Sequence, residues 1–302
     1  MKYKNVVPGI LLQRPNRFIA HVEINGREEI CHVKNTGRCR ELLVPGCTVY
    51  CAVSDNPQRK TKYDLIAVEK VIKNHTRSAK SETSAVTIAE PPDSFLSHST
   101  GEEPSATDRT TNPKPGSTLL VNMDSQAPNA AVKEWLESGT SPFGKIDYLK
   151  PEYKYGNSRF DFYLECKTET KRAGVAIGPT EKTATSPVST DTAAASPRKI
   201  FLEVKGVTLE DSGVVLFPDA PTERGVKHVR ELIHCHEEGF ATYVLFVVQM
   251  GRALYFTPNR KTHPQFADAL CEAKQTGVHL LAYTCKVTPD EMKIDKELKV
   301  NL

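Results

Sequence analysis

Glu203-Val204-Lys205 ends an apolar run in which alternation puts Ile200, Leu202 and Val204 on one face of a strand and Glu203 with Lys205 on the other. A carboxylate and an ammonium are thereby held side by side at a sheet surface. Upstream, Arg159-Phe160-Asp161-Phe162-Tyr163-Leu164 reads as a second strand, with Phe160, Phe162 and Leu164 directed inward and Asp161 toward the other face. Phosphodiester hydrolysis uses such groups: a hard divalent cation stabilises charge on the phosphoryl oxygens and lowers the pKa of the attacking water, and carboxylates are its natural ligands. Asp161 and Glu203, with the Val204 carbonyl as a third oxygen, suit Mg²⁺ or Mn²⁺, and Lys205 would stabilise developing charge or position the water. Glu152, in Pro151-Glu152-Tyr153, supplies a further acid just before the Asp161 strand. A solvated ion pair on a strand is the plainer account of the same residues.

Positioning these side chains requires a sheet and a flanking helix. Strands are expected at 152–155, 159–166, 200–208, 241–249, 253–257 and 278–286, with helices at 128–137, 221–238 and 264–275, which gives a mixed-sheet α/β domain over 119–302. On the helix that follows Asp219, Val226, Val229, Leu232 and Ile233 form an apolar arc. Arg224, Lys227, His228 and Glu231 fill the opposite arc, which either flanks a phosphate or is simply solvated. Residues 1–75 alternate short strand-like stretches (17–24, 28–33, 47–53) with turns, among them Asn25-Gly26 and Pro45-Gly46. A small Greek-key barrel of the OB type closes such strands most simply.

Between 76 and 118, 21 of 43 residues are Ser, Thr or Pro, a composition that cannot bury enough apolar surface to order itself, and 167–198 is a second low-complexity stretch at the tip of a hairpin. Charge is uneven: residues 1–75 carry 13 Lys plus Arg against 7 Asp plus Glu, +6, while 119–302 come to −1. A polyanion, DNA or RNA, is the partner this asymmetry suggests. Arg14, Arg17, Lys34, Arg38, Arg40, Arg59, Lys60 and Lys62 are the candidate contacts, interleaved with Phe18, Tyr50 and Tyr63 as stacking platforms or as ordinary core aromatics. The eight cysteines form no Cys-x-x-Cys pair and read as reduced thiols, and His234 and His236 point apart on a helix. No apolar run is long enough to span a membrane, and the first ten residues lack a secretory signal, so a cytoplasmic location is expected. Gly139 to Lys145 fits the opening of a phosphate-binding loop, but Ile146 stands where Ser or Thr must bind Mg²⁺.

The runs Lys154 to Phe162, Glu203-Val204-Lys205-Gly206-Val207-Thr208-Leu209 and Phe217 to Leu232 closely resemble the sugar fermentation stimulation protein family, as do Arg14 to Ala20, Asn35-Thr36-Gly37 and Val287 to Leu302. That resemblance implies an amino-terminal OB-like domain and a carboxy-terminal PD-(D/E)xK nuclease-like domain, in a DNA-binding protein linked to bacterial sugar catabolism. It matches Asp161 and Glu203 to the motif acids, Lys205 to the motif lysine and Glu152 to the preceding acid, and it places Arg224 and His228 on the helix bordering the site. Two functions remain open: a Mg²⁺-dependent nuclease, or a non-catalytic DNA-binding regulator that keeps the nuclease fold. The family is compact, whereas this chain carries two insertions, one of them joining the strands of Asp161 and Glu203.

Overall fold

A computed structural model describes residues 1–35, 37–72, 118–167 and 197–302. The first five strands are β1 (Val6–Gln13), β2 (Ile19–Ile24), β3 (Arg27–Val33), β4 (Thr48–Val53) and β5 (Tyr63–Val71). β1 pairs with both β2 and β4, β2 with β3, β4 with β5, and β3 runs parallel to β5, so the ring closes in the order β1-β2-β3-β5-β4-β1. This is the five-stranded OB barrel, in which closure removes the exposed strand edges. Leu11, Val22, Cys31, Val49, Cys51 and Leu65 fill it. The Asn25-Gly26 turn joins β2 to β3 with positive φ at both residues, as a two-residue hairpin of this twist requires.

The next strand, β6 (Thr118–Asn122), corrects the domain boundary expected at 118/119. It adds to β5, with Lys70 opposite Leu119 and Val68 opposite Val121, and it buries Leu119 and Val121 with the barrel residues. Apart from their ends, the two low-complexity stretches at 76–118 and 167–198 lie outside the described residues.

The second domain then runs α1 (Ala127–Glu137), β7 (Ile146–Tyr155), β8 (Ser158–Cys166), β9 (Arg198–Val207), β10 (Leu209–Asp211), β11 (Val214–Phe217), α2 (Glu223–Glu237), β12 (Ala241–Val248), β13 (Tyr255–Pro258), α3 (Pro264–Thr276), β14 (His279–Thr288) and β15 (Glu291–Glu297). Its main sheet has the order β15-β14-β12-β9-β8-β7. The three central strands are parallel and the flanking ones antiparallel, which makes this a mixed α/β sheet. β12 is buried along nearly its whole length because helices cover both faces, so its sequence is an apolar run without alternation. One face packs Ile200, Leu202, Val204, Leu245 and Val247 against Ala131, Val132 and Leu136 of α1. The other packs Phe201, Val244, Phe246 and Val248 against α2 and α3, through the expected arc of Val226, Val229, Leu232 and Ile233.

The domains are locked by polar groups that are nearly all buried. Gln249, directly after β12, donates through Nε2 to the Asn122 carbonyl at 3.1 Å, Asn122 Oδ1 at 3.2 Å and the Asp124 carbonyl at 3.1 Å. Its other amide atom, Oε1, lies against Gly206, where an added Cβ would sit 2.6 Å from it and 2.8 Å from Pro128. Asp124 also takes an ion pair from Lys34 at 2.7 Å. All eight cysteines are free thiols. Among the described residues no helix is long and apolar enough to cross a membrane.

Candidate active site

β8 and β9 pair from Cys166 opposite Arg198 as far as Phe162 opposite Leu202, and there the ladder stops. The next positions in line are Asp161 and Glu203. Instead of a backbone bond across the gap, Asp161 Oδ2 accepts from the Val204 N–H at 2.7 Å, and Asp161 Oδ1 accepts from Asn129 Nδ2 of α1 at 2.8 Å. β8 does not keep the strict alternation expected for it. Phe162 and Leu164 lie on the α1 face, whereas Phe160 lies on the other, its ring 4.6 Å from that of Phe201. The adjacent strand is distorted at the same level: Glu152, between the partners of Phe160 and Phe162, has φ 52°. A twist at this point swings Asp161 into the gap.

Glu203 behaves as expected. Alternation puts it with Lys205 on the α2 face of β9, where it is buried. Its Oε1 accepts from Lys205 Nζ at 2.6 Å and from His228 Nδ1 of α2, while its Oε2 is buried with no partner. Arg224 Nε donates to His228 Nε2 at 3.3 Å, which leaves Nδ1 to carry the proton directed at Glu203. Thr222 caps α2 by accepting from the Gly225 N–H, fixing the register that brings His228 over β9. Arg224 and His228 therefore join the Glu203 cluster.

The electrostatics follow from this packing. Burial and the neighbouring Glu203 charge push the Asp161 carboxyl up to about 6, against the opposing pull of the Val204 N–H, Lys205 and Asn129. Burial also pushes Glu203 upward, but His228 and Lys205 outweigh it and hold the carboxyl below the usual range. The two buried carboxyls are thus shifted in opposite directions, Asp161 upward and Glu203 downward.

Glu152 does not join them. It is exposed and pairs with Arg159 at 2.9 Å, and among the described residues no three His, Cys, Asp or Glu side chains converge as a metal-binding group. The expected acid trio is corrected to the pair Asp161 and Glu203, because the left-handed residue Glu152 commits its carboxylate to Arg159 at the surface. The expected basic set divides as well. Arg14 donates to the backbone carbonyls of Arg17, Gly37 and Arg38; Arg59 grips Asp64 with both terminal nitrogens at 2.7 Å; Lys34 is paired with Asp124. These three are engaged in internal ties. Arg17, Arg38, Arg40, Lys60 and Lys62 are exposed, and none forms an ion pair among the described residues. Of the aromatics, Tyr63 is buried in the barrel and Tyr50 donates to Glu69, so Phe18 alone remains an open platform. Asn129 is the residue that sequence reasoning missed. Its one signal was the presence of Asn in a first helical turn, where that side chain is favoured by a bond to a group outside the helix.

Two family models match this chain: the sugar fermentation stimulation protein RE domain over residues 126–177 and 180–291, and the SfsA N-terminal OB domain over residues 12–75. Among curated proteins, the sugar fermentation stimulation protein homolog of Desulfitobacterium hafniense (strain DSM 10664 / DCB-2) is 44% identical over 302 residues, covering 100% of this chain and 99% of its own. The homolog of Ruminiclostridium cellulolyticum is 42% identical over 302 residues, covering 100% of both chains. Among solved structures, Pyrococcus furiosus SfsA in complex with Ca²⁺ superimposes with a TM-score of 0.67 at 23% identity, over 100% of this chain and 98% of that one, a likeness of fold.

Proposed function

This chain belongs to the sugar fermentation stimulation protein family, and from that premise and the Glu203 cluster we propose that it is a divalent-metal-dependent nuclease acting on DNA or RNA, with a PD-(D/E)xK-type site. The observation that carries the reading is the asymmetry of Glu203: one oxygen holds two donors, while the other is buried and bare at the β9 position that follows the end of the β8–β9 ladder, as Asp161 follows it on β8. A buried acceptor without a partner is costly, and the Glu203 charge opposes ionisation of Asp161. A hard cation satisfies both, and the all-oxygen donors fit Mg²⁺ or Mn²⁺. The Ca²⁺ held by the Pyrococcus furiosus protein supports a divalent ion of this kind.

Glu203 Oε2 and Asp161 would hold the ion, which supplies Lewis acidity toward a phosphoryl oxygen and a lowered pKa for bound water. The remaining work falls to the chain's own side chains. Asn129 and the Val204 N–H fix the orientation of Asp161. His228 and Lys205 keep Glu203 ionised while occupying only its Oε1. The Lys205 ammonium is placed to stabilise negative charge building on a phosphoryl group, and the exposed Arg224 extends that positive field outward along α2.

The test is incubation of the purified protein with single- and double-stranded DNA and RNA in Mg²⁺ or Mn²⁺, with chelator controls. Metal-dependent cleavage lost in Asp161→Ala and Glu203→Ala is expected. No cleavage, or cleavage undiminished in both variants, refutes the proposal, and salt-sensitive binding without cleavage would instead favour a DNA-binding regulator.

A further inference from the structure

The barrel meets the candidate site through two short stretches, and Arg14 joins them. From β1 its guanidinium donates to the carbonyl of Arg17 at 2.9 Å, to that of Gly37 at 3.0 Å and to that of Arg38. The β1–β2 turn and the chain leaving β3 are therefore one assembly. Each is also set locally. Asn16 Oδ1 accepts from the backbone N–H of Phe18 at 2.8 Å and of Ile19 at 3.0 Å, a side-chain turn that fixes Arg17 and Phe18. Asn35 accepts from the Gly37 N–H at 2.7 Å and donates to the Met123 carbonyl at 2.8 Å.

The assembly is seated on the second domain, against the segments that follow Lys205 and lead into α2. A Cβ on Gly37 would lie 2.8 Å from Asp219 Oδ2, so this stretch approaches closely the segment that leads into α2. Cys39 is buried against Asp219 and Thr208, and burial together with the Asp219 charge pushes its thiol up to about 12. Thr208 lies three residues beyond Lys205, roughly 10 Å along an extended chain. What the assembly exposes is chemically specific: Phe18 is 49% exposed, with the Arg17 guanidinium 5.8 Å from its ring centre, and Arg38 is exposed on the linked stretch.

Resting on the nuclease reading, we propose that Arg17, Phe18 and Arg38 bind the single-stranded polynucleotide that the second domain cuts, one base stacked on Phe18 and the flanking phosphates on the two arginines, while Arg14 acts as a positioning residue. An open aromatic face beside cations is the chemistry that takes unpaired bases, because a duplex keeps its base faces stacked internally.

Binding is measured separately from cleavage, by anisotropy of a labelled oligomer of about 12 nucleotides and of its duplex in chelator, across a salt series. The single strand binds more tightly than the duplex, and Phe18→Ala weakens it about tenfold without changing the salt slope. Arg17→Ala with Arg38→Ala lowers the slope of log affinity against log salt by about 0.7 for each phosphate that is no longer neutralised. Arg14→Lys, which keeps the charge but not the three-carbonyl fork, binds as weakly as Arg14→Ala; full affinity in Arg14→Lys would make Arg14 a phosphate ligand. Equal affinity for duplex, or Phe18→Ala and the double arginine variant both binding like wild type, overturns the proposal whether or not the protein cuts. Normal binding with no cleavage in Mg²⁺ would leave this surface standing and sink the nuclease reading.

Discussion

The molecule holds the same three groups twice: a carboxylate, a histidine and a longer cation. In the barrel, Asp64 takes both terminal nitrogens of Arg59 at 2.7 Å and His32 Nδ1 at 3.0 Å, so each of its oxygens is engaged. In the second domain, Glu203 takes Lys205 and His228 on one oxygen and keeps the other bare, although its side chain is only 3% exposed against 15% for Asp64. The better-solvated acid is fully satisfied and the worse-solvated one is not. On the proposed reading the open acceptor of Glu203 is where the ion would sit, whereas Asp64, with both oxygens closed, is a brace.

That contrast breaks most sharply at Glu203. Glu203→Gln is expected to lower metal-dependent cleavage by roughly 10²- to 10³-fold while the chain stays folded, as judged by circular dichroism. Cleavage within a few-fold of wild type would make the cluster another brace. Asp64→Asn is expected to do the reverse, leaving cleavage intact and costing about 2 kcal/mol in urea unfolding, because a charged group with good partners is lost. Burial raises the Asp64 pKa, but Arg59 and His32 more than offset that and hold it below the usual range. The contribution is therefore complete at neutral pH and fades as pH falls through about 4 toward the depressed value. Wild type should accordingly lose its advantage over Asp64→Asn across that acid range, and a pH-independent gap would remove the ion-pair explanation. Asn129→Ala, which frees Asp161 Oδ1, is expected to slow cleavage about tenfold with little change in unfolding midpoint. Arg59→Lys gives the smallest change: losing the two-pronged grip on Asp64 should cost about 1 kcal/mol, read from the same urea curves.

Much of this was legible in the sequence. The Asn25-Gly26 hairpin, the apolar arc of α2 and the pairing of Glu203 with Lys205 on one strand face all follow from short-range periodicity, which local sequence specifies directly. β1 was not among the expected strands, and Pro8 and Gly9, which weaken a strand pattern, lie inside it. β6 lies past a long polar stretch, and only its tertiary partner, β5, shows which domain it joins. In the site, alternation failed at Asp161 because the strand twists there, and Glu152 was misplaced because a left-handed residue re-aims its side chain. Asn129 and the inward use of Arg14 were invisible for a related reason: each depends on an oxygen supplied by a distant part of the chain.

Gln249 fixes how the two halves can move. Its amide grips the exit of the barrel's last strand on one side and abuts the residue after Lys205 on the other, so the barrel and the acid-bearing strand behave as a single rigid frame. A bulky side chain in place of Gly206 would therefore push on Gln249 and Pro128 and disturb the tie between the domains from inside, without touching the acids.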